Sequence, residues 1–301
     1  MDFQGISKEL DKLAIDYVIN KKTSDLVSFE IGGIASCVIY PKTLEHFVYV
    51  LKLLTDYNLK HFILGNGTNT YFKDEPYCGA VIVTKNIKHS AVKENTLNVL
   101  CGDNLSACAA FAMNSGLSGL EFAYGIPGTV GGALYMNASA FDSSISNVVL
   151  KSTVYDKRLN QIFEIDKKEH SFGKKRSIFS LNKDLILLSS TFVLKPKEKH
   201  SIKKLMIDNL EKRKKSQPLN LPSAGSVFKR PINDYASRLI DYCGLKGLRI
   251  GGAEVSKKHA GFIANVGSAT ARDVNDLISK IKITVKEKCN VELEEEIIFV
   301  E

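Results

Sequence analysis

Four glycines fall within eight residues at the start of segment 125–138, and this density constrains the fold more than any other feature of the sequence. Each glycine would weaken a regular helix or strand by about 1 kcal/mol. A fold tolerates that cost where its backbone must approach a ligand closely. The segment therefore predicts a ligand-binding loop.

A second glycine-containing segment, residues 64–69, directly follows a strand predicted at 61–64. Its small residues can expose successive backbone N–H groups as an anion-binding nest, although a plain turn at the strand end is an alternative. It has neither the Gly-Lys-Ser/Thr ending of a phosphate-binding loop nor the glycine fingerprint that opens a Rossmann helix. Two such segments in succession indicate an extended diphosphate ligand, and a dinucleotide such as FAD meets that description.

A third segment, residues 222–231, places Ser226 near two cations, Lys229 and Arg230, with a proline at each end. Prolines fix φ, and Gly225 permits a backbone conformation closed to other residues. The arrangement favours an oxyanion or phosphate site, and a structural serine-rich turn is the alternative.

The net charge of +8 favours an anionic partner, such as nucleic acid, anionic lipid or a phosphorylated small molecule, or else reflects a solvated basic surface. A lysine-rich helix predicted at 201–214 carries no interleaved aromatic residues that could stack on bases, so we predict no nucleic-acid partner. No signal peptide and no apolar stretch of membrane-spanning length is evident, so we predict no membrane insertion.

The six cysteines and six histidines show no metal-ligand spacing, and no cysteine pair forms a Cys-x-x-Cys motif. We therefore predict no metal, reduced cysteines and a cytoplasmic location. Alternating patterns of strand and helix indicate an α/β or α+β protein. Strands are predicted at 37–40, 61–64, 80–83, 97–100, 148–155, 161–165, 185–193 and 297–300, and helices from 44, over 105–115, over 201–214 and after a capping box at Thr270.

These segments together resemble the UDP-N-acetylenolpyruvoylglucosamine reductase family, flavoenzymes of early peptidoglycan synthesis, over residues 25–301. The resemblance is carried by residues 28–33, 64–69, 116–122, 125–138, 217–219, 222–231, 251–256 and 259–262. It implies the shorter family type, because no inserted tyrosine segment fits between Phe179 and Gln217.

The resemblance implies an α+β fold, in which a two-part FAD-binding fold of the vanillyl-alcohol oxidase type is joined to a third α/β domain that binds substrate. The implied domains are residues 1–85, 86–200 and 201–301, unless the last strand returns to the FAD-binding part. A cytoplasmic monomer is expected.

The implied cofactors are FAD and NADPH, and the implied substrate is a UDP-sugar, UDP-N-acetylglucosamine enolpyruvate. Hydride from flavin N5 would reach its vinyl carbon, and a general acid would protonate the neighbouring carbon, giving UDP-N-acetylmuramate. The implied FAD contacts are Gly65, Asn66, Gly67, Thr68, Asn69, Gly125, Pro127, Gly128, Thr129, Gly131, Gly132 and Ala133.

By family pattern, Ser226 matches the proton donor, and Glu296 matches the glutamate that helps to stabilise an enol-like intermediate. Hydride addition builds negative charge on the substrate carboxylate, so fixed cations nearby would lower the barrier. Lys229 and Arg230 are the candidates for substrate contacts in this segment.

The catalytic arginine falls in a segment that departs from the family pattern Phe-x-Tyr-Arg-x-Ser. The in-frame position is Lys175, whereas a shift of one residue selects Arg176. We prefer Arg176 as the catalytic residue, because a planar guanidinium binds a carboxylate in two places, and we keep Lys175 as a substrate contact. Ser139 and Asp142 replace family glycines near the expected flavin ring.

Three rival interpretations remain at this point: another FAD-dependent oxidoreductase of the same fold, a flavin-binding homologue with impaired catalysis, and a nucleic-acid-binding protein. The 223–231 motif argues against the first, the departure at Lys174 and Lys175 supports the second, and only the basic pI supports the third.

Overall fold

The computed structural model describes residues 3–301, which divide into two compact units built from discontinuous segments. Unit 1 contains the described residues up to Val18, together with Cys37–Asn66 and Gly79–Lys212. Unit 2 contains Ile19–Ser36, Gly67–Cys78 and Arg213–Glu301. Both helices and sheets are present, which confirms the predicted α+β class, while the three domain boundaries given by the sequence stay a prediction.

The α-helices in the described part of the chain are α1 Phe3–Lys12, α2 Leu44–Asp56, α3 Leu105–Asn114, α4 Val130–Tyr135, α5 Ile178–Leu181, α6 Lys199–Ser216, α7 Ala236–Tyr242 and α8 Ala271–Cys289. The strands there are β1 Asp16–Lys22, β2 Ile34–Tyr40, β3 His61–Leu64, β4 Thr70–Phe72, β5 Tyr77–Val83, β6 Ala91–Lys93, β7 Thr96–Leu100, β8 Leu117–Ser118, β9 Ser139–Ala140, β10 Ser143–Ser144, β11 Val149–Asp156, β12 Gln161–Asp166, β13 Leu185–Val193, β14 Lys195–Pro196, β15 Ser223–Ser226, β16 Arg249–Ile250, β17 Ala253–Val255, β18 Phe262–Asn265 and β19 Ile298–Val300.

The chain before residue 200 contains one four-stranded and one five-stranded sheet. One has the order β1-β2-β5-β3, with β3 parallel to β5, and the other is an antiparallel sheet in the order β12-β11-β13-β7-β6. The turn residues 156–160 predict a hairpin between these strands, and Asp156 pairs with Gln161 across it. Unit 2 contains the sheet β15-β18-β17-β16 and the parallel pair β19-β4.

Local sequence explains why the long helices begin where they do. The Thr43 side chain accepts a hydrogen bond from the His46 N–H at 3.1 Å at the start of α2. Thr270 and Asp273 form the predicted capping box of α8, each accepting from the other's N–H at 3.0 Å. Such caps satisfy backbone donors that have no partner within the helix. The buried stripe of α8 is Val274, Leu277, Ile278, Ile281 and Val285.

The apolar positions Ile202, Leu205, Met206 and Leu210 predict the buried face of helix α6, and the structure buries only part of it. Ile202 and Met206 are buried as expected, but Leu205 is 42% exposed. Asn209 is buried instead, and its Nδ2 donates to Glu121 O at 3.4 Å. The polar residue is tolerated inside because its amide has a hydrogen-bond acceptor there.

Each unit has its own hydrophobic core. In unit 2 an aromatic group lies at the centre: Tyr71 stacks on Phe299 with ring centroids 4.9 Å apart, and Phe29 meets Tyr71 edge-on at 5.9 Å. Tyr71 OH also donates to Asn275 Oδ1 at 2.6 Å, so the buried hydroxyl has a partner. Among residues 3–301, no helix has the length and apolar character needed to cross a bilayer.

Candidate functional site

The glycine-rich segment of unit 1 contains a short helix where the sequence predicts only a loop. Helix α4 begins after Thr129, whose Oγ1 accepts a hydrogen bond from the Gly132 N–H at 3.3 Å. The Gly131 N–H donates to Cys101 O at 2.8 Å. Both donors are satisfied within the protein, so a ligand would contact this backbone by packing against it rather than through these two N–H groups.

The glycines of this segment are required for different physical reasons. A Cβ on Gly65 would lie 2.3 Å from Thr129 Oγ1, and one on Gly131 would lie 3.0 Å from Cys101 O, so chain packing requires both. Gly132 is exposed, and a Cβ there would meet only Thr129 Oγ1, at 3.6 Å. Alanine would favour a helix at that position by about 1 kcal/mol. No packing contact therefore requires glycine at position 132, and the bare backbone there fits a ligand that lies against α4.

Several predicted cofactor residues lie together in unit 1. Asn66 Nδ2 donates to Pro127 O at 2.6 Å, which joins the 64–66 segment to the turn before α4. Gly125 has φ +82°, and its N–H donates to Ser106 Oγ at 2.9 Å. Gly128 accepts from the backbone of α3, and Ala133 is buried within α4.

The remaining predicted cofactor residues, Gly67, Thr68 and Asn69, belong to unit 2. Gly67 has φ +64°, and a Cβ there would lie 2.3 Å from Leu26 O, so only glycine fits. Asn69 Nδ2 donates to Glu296 O at 3.0 Å. A predicted cofactor residue and a predicted catalytic residue are thus hydrogen-bonded neighbours in unit 2.

Ser226 ends strand β15, where it pairs with Phe262 of β18 after an irregularity that includes Gly225. Gly225 has φ +80°, a conformation that confirms why glycine is needed there. The next residue, Val227, accepts a hydrogen bond at its carbonyl from the Glu296 N–H at 2.7 Å. Unit 2 therefore brings the chain around Ser226 directly beside the chain around Glu296.

The three consecutive glutamates before β19 have different surroundings. The Glu294 carboxylate pairs with Lys229 Nζ, and Glu295 Oε1 lies 2.7 Å from Lys282 Nζ. Glu296 is half-buried, and its main chain is held by Val227 and Asn69. Glu294 and Glu295 thus form ion pairs, while Glu296 is hydrogen-bonded through its backbone to the residue that follows Ser226.

Of the three cations predicted to contact substrate, Lys229 and Arg230 already have partners within unit 2. Lys229 is bonded through its backbone N–H to Glu294 O at 2.8 Å as well as through its ammonium. The exposed Arg230 guanidinium lies over the Tyr235 ring, 3.9 Å from its centroid, and Nε donates to Asp234 O at 3.3 Å. A substrate contact by the Lys229 ammonium would compete with Glu294, whereas the exposed Arg230 can bind substrate while it stays over the Tyr235 ring.

The turn that contains Arg176 lies in unit 1 and closes on itself, since the Gly173 N–H donates to Arg176 O at 3.0 Å. Lys175, at its centre, has φ +53° and is half-buried. A Cβ on Gly173 would lie 2.5 Å from Arg176 Nε. The exposed Arg176 side chain therefore passes close to Gly173, and a larger residue there would displace it.

Two side chains that the sequence did not identify hold this turn against the end of the glycine-rich segment. Asn137 Nδ2 donates to Gly173 O at 2.9 Å, and Ser177 Oγ donates to Tyr135 O at 2.8 Å. The bonded residues are 36 and 42 positions apart, so no local pattern reveals them. The available signal was an asparagine within the glycine-rich segment, which tolerates the left-handed φ of +47° found at Asn137.

His170 is a fully buried histidine close to the same turn. Its ring stacks on Phe172 with centroids 5.0 Å apart. Its Nε2 lies 2.8 Å from Ser152 Oγ and its Nδ1 lies 2.9 Å from Asp166 O. Burial lowers the pKa of His170 below its ordinary value of 6.5. The folded protein therefore favours the neutral ring.

Stability should consequently fall as the pH drops below about 6.5. Below that pH the unfolded chain protonates His170 while the folded chain does not, so the unfolded state binds more protons and the free energy of unfolding decreases. We expect His170→Gln to flatten part of this decrease, measured as denaturation midpoints from about pH 8 to about pH 5. His61 and His259, whose pKa values burial also lowers, would still cause the rest of the decrease in stability.

The exposed His200 of α6 provides the matched control, because His200→Gln makes the same substitution away from the buried surroundings of His170. An identical pH dependence in His170→Gln and the unsubstituted protein would contradict the prediction.

The six cysteines differ in their exposure to solvent. Cys37, Cys101, Cys108 and Cys243 are buried, Cys78 is exposed and Cys289 is half-buried, and all six are free thiols. Within residues 3–301, no three His, Cys, Asp or Glu side chains are grouped so that they could hold a metal ion.

Two family models and several named proteins are similar to this chain in sequence. Residues 35–166 match the family model described as an FAD binding domain, and residues 217–300 match the C-terminal domain of UDP-N-acetylenolpyruvoylglucosamine reductase. The chain is 41% identical over 293 residues to a protein of that name from Caldicellulosiruptor saccharolyticus, covering 97% of this chain and 94% of that one. It is also 41% identical over 288 residues to one from Clostridium novyi, covering 96% and 92%.

A solved structure of the UDP-N-acetylenolpyruvylglucosamine reductase from Thermus caldophilus is similar to this chain with a TM-score of 0.80 and 30% identity, covering 95% of this chain and 99% of that one. The FAD-binding region and the shared fold define the class, an FAD-dependent oxidoreductase. The chain belongs to the UDP-N-acetylenolpyruvoylglucosamine reductase family. The family resemblance seen in the sequence, and the FAD-binding fold that it implied, are confirmed.

Proposed function

We propose that this protein is an NADPH-dependent flavoenzyme that reduces UDP-N-acetylglucosamine enolpyruvate to UDP-N-acetylmuramate in the synthesis of peptidoglycan precursors. The observation that carries the proposal is the pairing in unit 2 of the Ser226 and Glu296 segments, joined by the 2.7 Å bond from the Glu296 N–H to Val227 O. It brings together two residue types that this reduction needs, in a chain that is similar to named reductases over nearly its whole length.

The proposed FAD contacts are the twelve residues predicted from the sequence. They are Gly65, Asn66, Gly67, Thr68, Asn69, Gly125, Pro127, Gly128, Thr129, Gly131, Gly132 and Ala133. The exposed backbone at Gly132 supports a close approach of the cofactor, since nothing in the protein requires glycine there. When bound and reduced by NADPH, FAD would supply the hydride to the vinyl carbon.

Ser226 would hold the proton that is delivered to the carbon next to the one that receives hydride. A serine hydroxyl is a weak acid, so it needs stabilising charge or hydrogen bonds around it as the proton leaves. Glu296, fixed beside the same strand, would hydrogen-bond to the enol-like form of the substrate. Both side chains are half-buried, which strengthens such interactions relative to bulk water.

Arg176 would bind the substrate carboxylate, on which negative charge develops. Its support is the planar guanidinium, which can bind a carboxylate in two places, on an exposed side chain beside Gly173. Lys175, Lys229 and Arg230 are proposed as further substrate contacts. An anionic substrate would replace Glu294 as the partner of Lys229, and it would bind Arg230 in addition to the Tyr235 ring.

We further propose the division into residues 1–85, 86–200 and 201–301, and a monomeric, cytoplasmic enzyme without nucleic-acid partners or membrane insertion. These proposals follow from the family resemblance and from the absence of base-stacking aromatic residues among the α6 lysines.

The test is NADPH consumption by the purified protein in the presence of UDP-N-acetylglucosamine enolpyruvate. We expect bound flavin in the absorption spectrum and NADPH oxidation that depends on this substrate. UDP-N-acetylglucosamine, which lacks the enolpyruvyl group, is the matched control and should support no turnover. Product would be identified by mass as the substrate plus two hydrogens.

Two results would overturn the proposal. Flavin that NADPH reduces but that this substrate does not reoxidise would favour another FAD-dependent reaction or an impaired homologue. A colourless protein that binds nucleic acid with steep salt dependence would favour the nucleic-acid alternative.

A further inference from the structure

Two cysteines of unit 2 lie close together although they are 46 positions apart in the sequence. The Sγ atoms of Cys243 and Cys289 are 3.7 Å apart. Cys243 immediately follows α7, and Cys289 is the last residue of α8. Sulfur atoms bond at about 2.05 Å in a disulfide, so modest side-chain rotations would bring the two thiols to bonding distance.

The two thiols differ in access to solvent. Cys243 is 4% exposed, whereas Cys289 is half-buried at the end of its helix. Burial, together with its hydrogen bond to Cys289, raises the pKa of the Cys243 thiol. Small oxidants therefore reach Cys289 first, and Cys243 is placed to react with whatever forms on it.

We propose that Cys243 and Cys289 form a reversible intramolecular disulfide in reaction with low-molecular-weight disulfides. The Cys289 thiolate attacks one sulfur of the small disulfide and releases one small thiol. Cys243 then loses its proton to solvent and attacks the Cys289 sulfur, which releases the second small thiol. Two protein thiols are oxidised and one small disulfide is reduced to two thiols, so no other oxidant is needed.

The other four cysteines do not offer this chemistry. Cys37, Cys101 and Cys108 are buried, and burial raises the pKa of each thiol to about 12. Cys78 is exposed, and its Sγ lies 3.9 Å from Pro76 O. The described residues also hold no group of three metal-binding side chains, so the Cys243–Cys289 pair is not half of a thiolate metal centre.

The experiment treats the full-length protein with glutathione disulfide and then counts thiols under denaturing conditions. We expect the six thiols to fall by two, a peptide map with Cys243 joined to Cys289, and full recovery with reductant. The oxidised protein should have a Tm higher by several degrees, because the cross-link restrains the unfolded chain.

Matched variants separate this site from the others. Cys289→Ser changes a half-buried residue and should abolish the cross-link, while Cys243→Ser should stop the reaction at a glutathione adduct on Cys289. Cys78→Ser should leave the cross-link intact. An unchanged thiol count, a cross-link between other cysteines, or thiol loss only through Cys78 as covalent dimers would overturn the proposal.

Discussion

Replacing Ser226 by alanine is expected to lower kcat for reduction of the enolpyruvyl substrate by about 100- to 10,000-fold, the range that general acids contribute. The variant removes the hydroxyl proposed to protonate the substrate but keeps the backbone pairing of Ser226 with Phe262. Reduction of the flavin by NADPH does not use this proton. Stopped-flow measurement of the two half-reactions should therefore show a slow reoxidation of flavin by substrate after a normal reduction by NADPH.

Ser223→Ala is the matched control, because Ser223 lies on the same strand β15, and its backbone rather than its hydroxyl makes the contacts seen with Ser28. It should retain activity close to that of the unsubstituted protein. Equal losses in both variants would mean that the strand tolerates no change, and normal reoxidation in Ser226→Ala would remove Ser226 from the proton-donor role.

Replacing Arg176 by alanine is expected to lower kcat/KM for the same substrate by about 100- to 1,000-fold, a loss typical of removing one preorganised group that stabilises developing charge. Little of this stabilisation should be recovered by Arg176→Lys, because an ammonium group cannot bind a carboxylate in two places. Steady-state kinetics with NADPH held saturating would measure both variants.

Lys175→Ala is the control that settles the register of this segment. Lys175 occupies the family position in frame, but its left-handed backbone places it at the centre of the turn rather than over Gly173. We expect the larger loss from Arg176→Ala. A larger loss from Lys175→Ala would assign the arginine role to Lys175 and contradict our choice.

Elements with strong local signals were predictable from sequence. Thr270 and Asp273 indicated the start of α8 because a capping box needs only residues three positions apart. The helical spacing of apolar residues in α2 likewise indicated its buried face, because the burial of Phe47 and Leu51 follows from the periodicity of that helix alone.

Helix α4 was missed because tertiary contacts override its low helix propensity. Gly131 and Gly132 both disfavour a helix, yet the Thr129 cap and the bond from Gly131 to Cys101 O hold one there. The family resemblance selected Ser226 and Glu296 as candidates, but the hydrogen bond from the Glu296 N–H to Val227 O joins segments that are far apart in the sequence. No local pattern specifies such a partner, and the same is true of Asn137 and Gly173.

The parallel pairing of β19 with β4 has a consequence for how the protein is made. Residues Thr70–Phe72 leave the ribosome long before Ile298–Val300, and the ring of Tyr71 must wait for Phe299 to stack on it. Unit 2 therefore cannot complete its core during translation until nearly the whole chain has emerged. For the same reason, a fragment beginning near residue 217 would lack β4 and the aromatic partner of its own last strand, so it would not be an autonomous folding module.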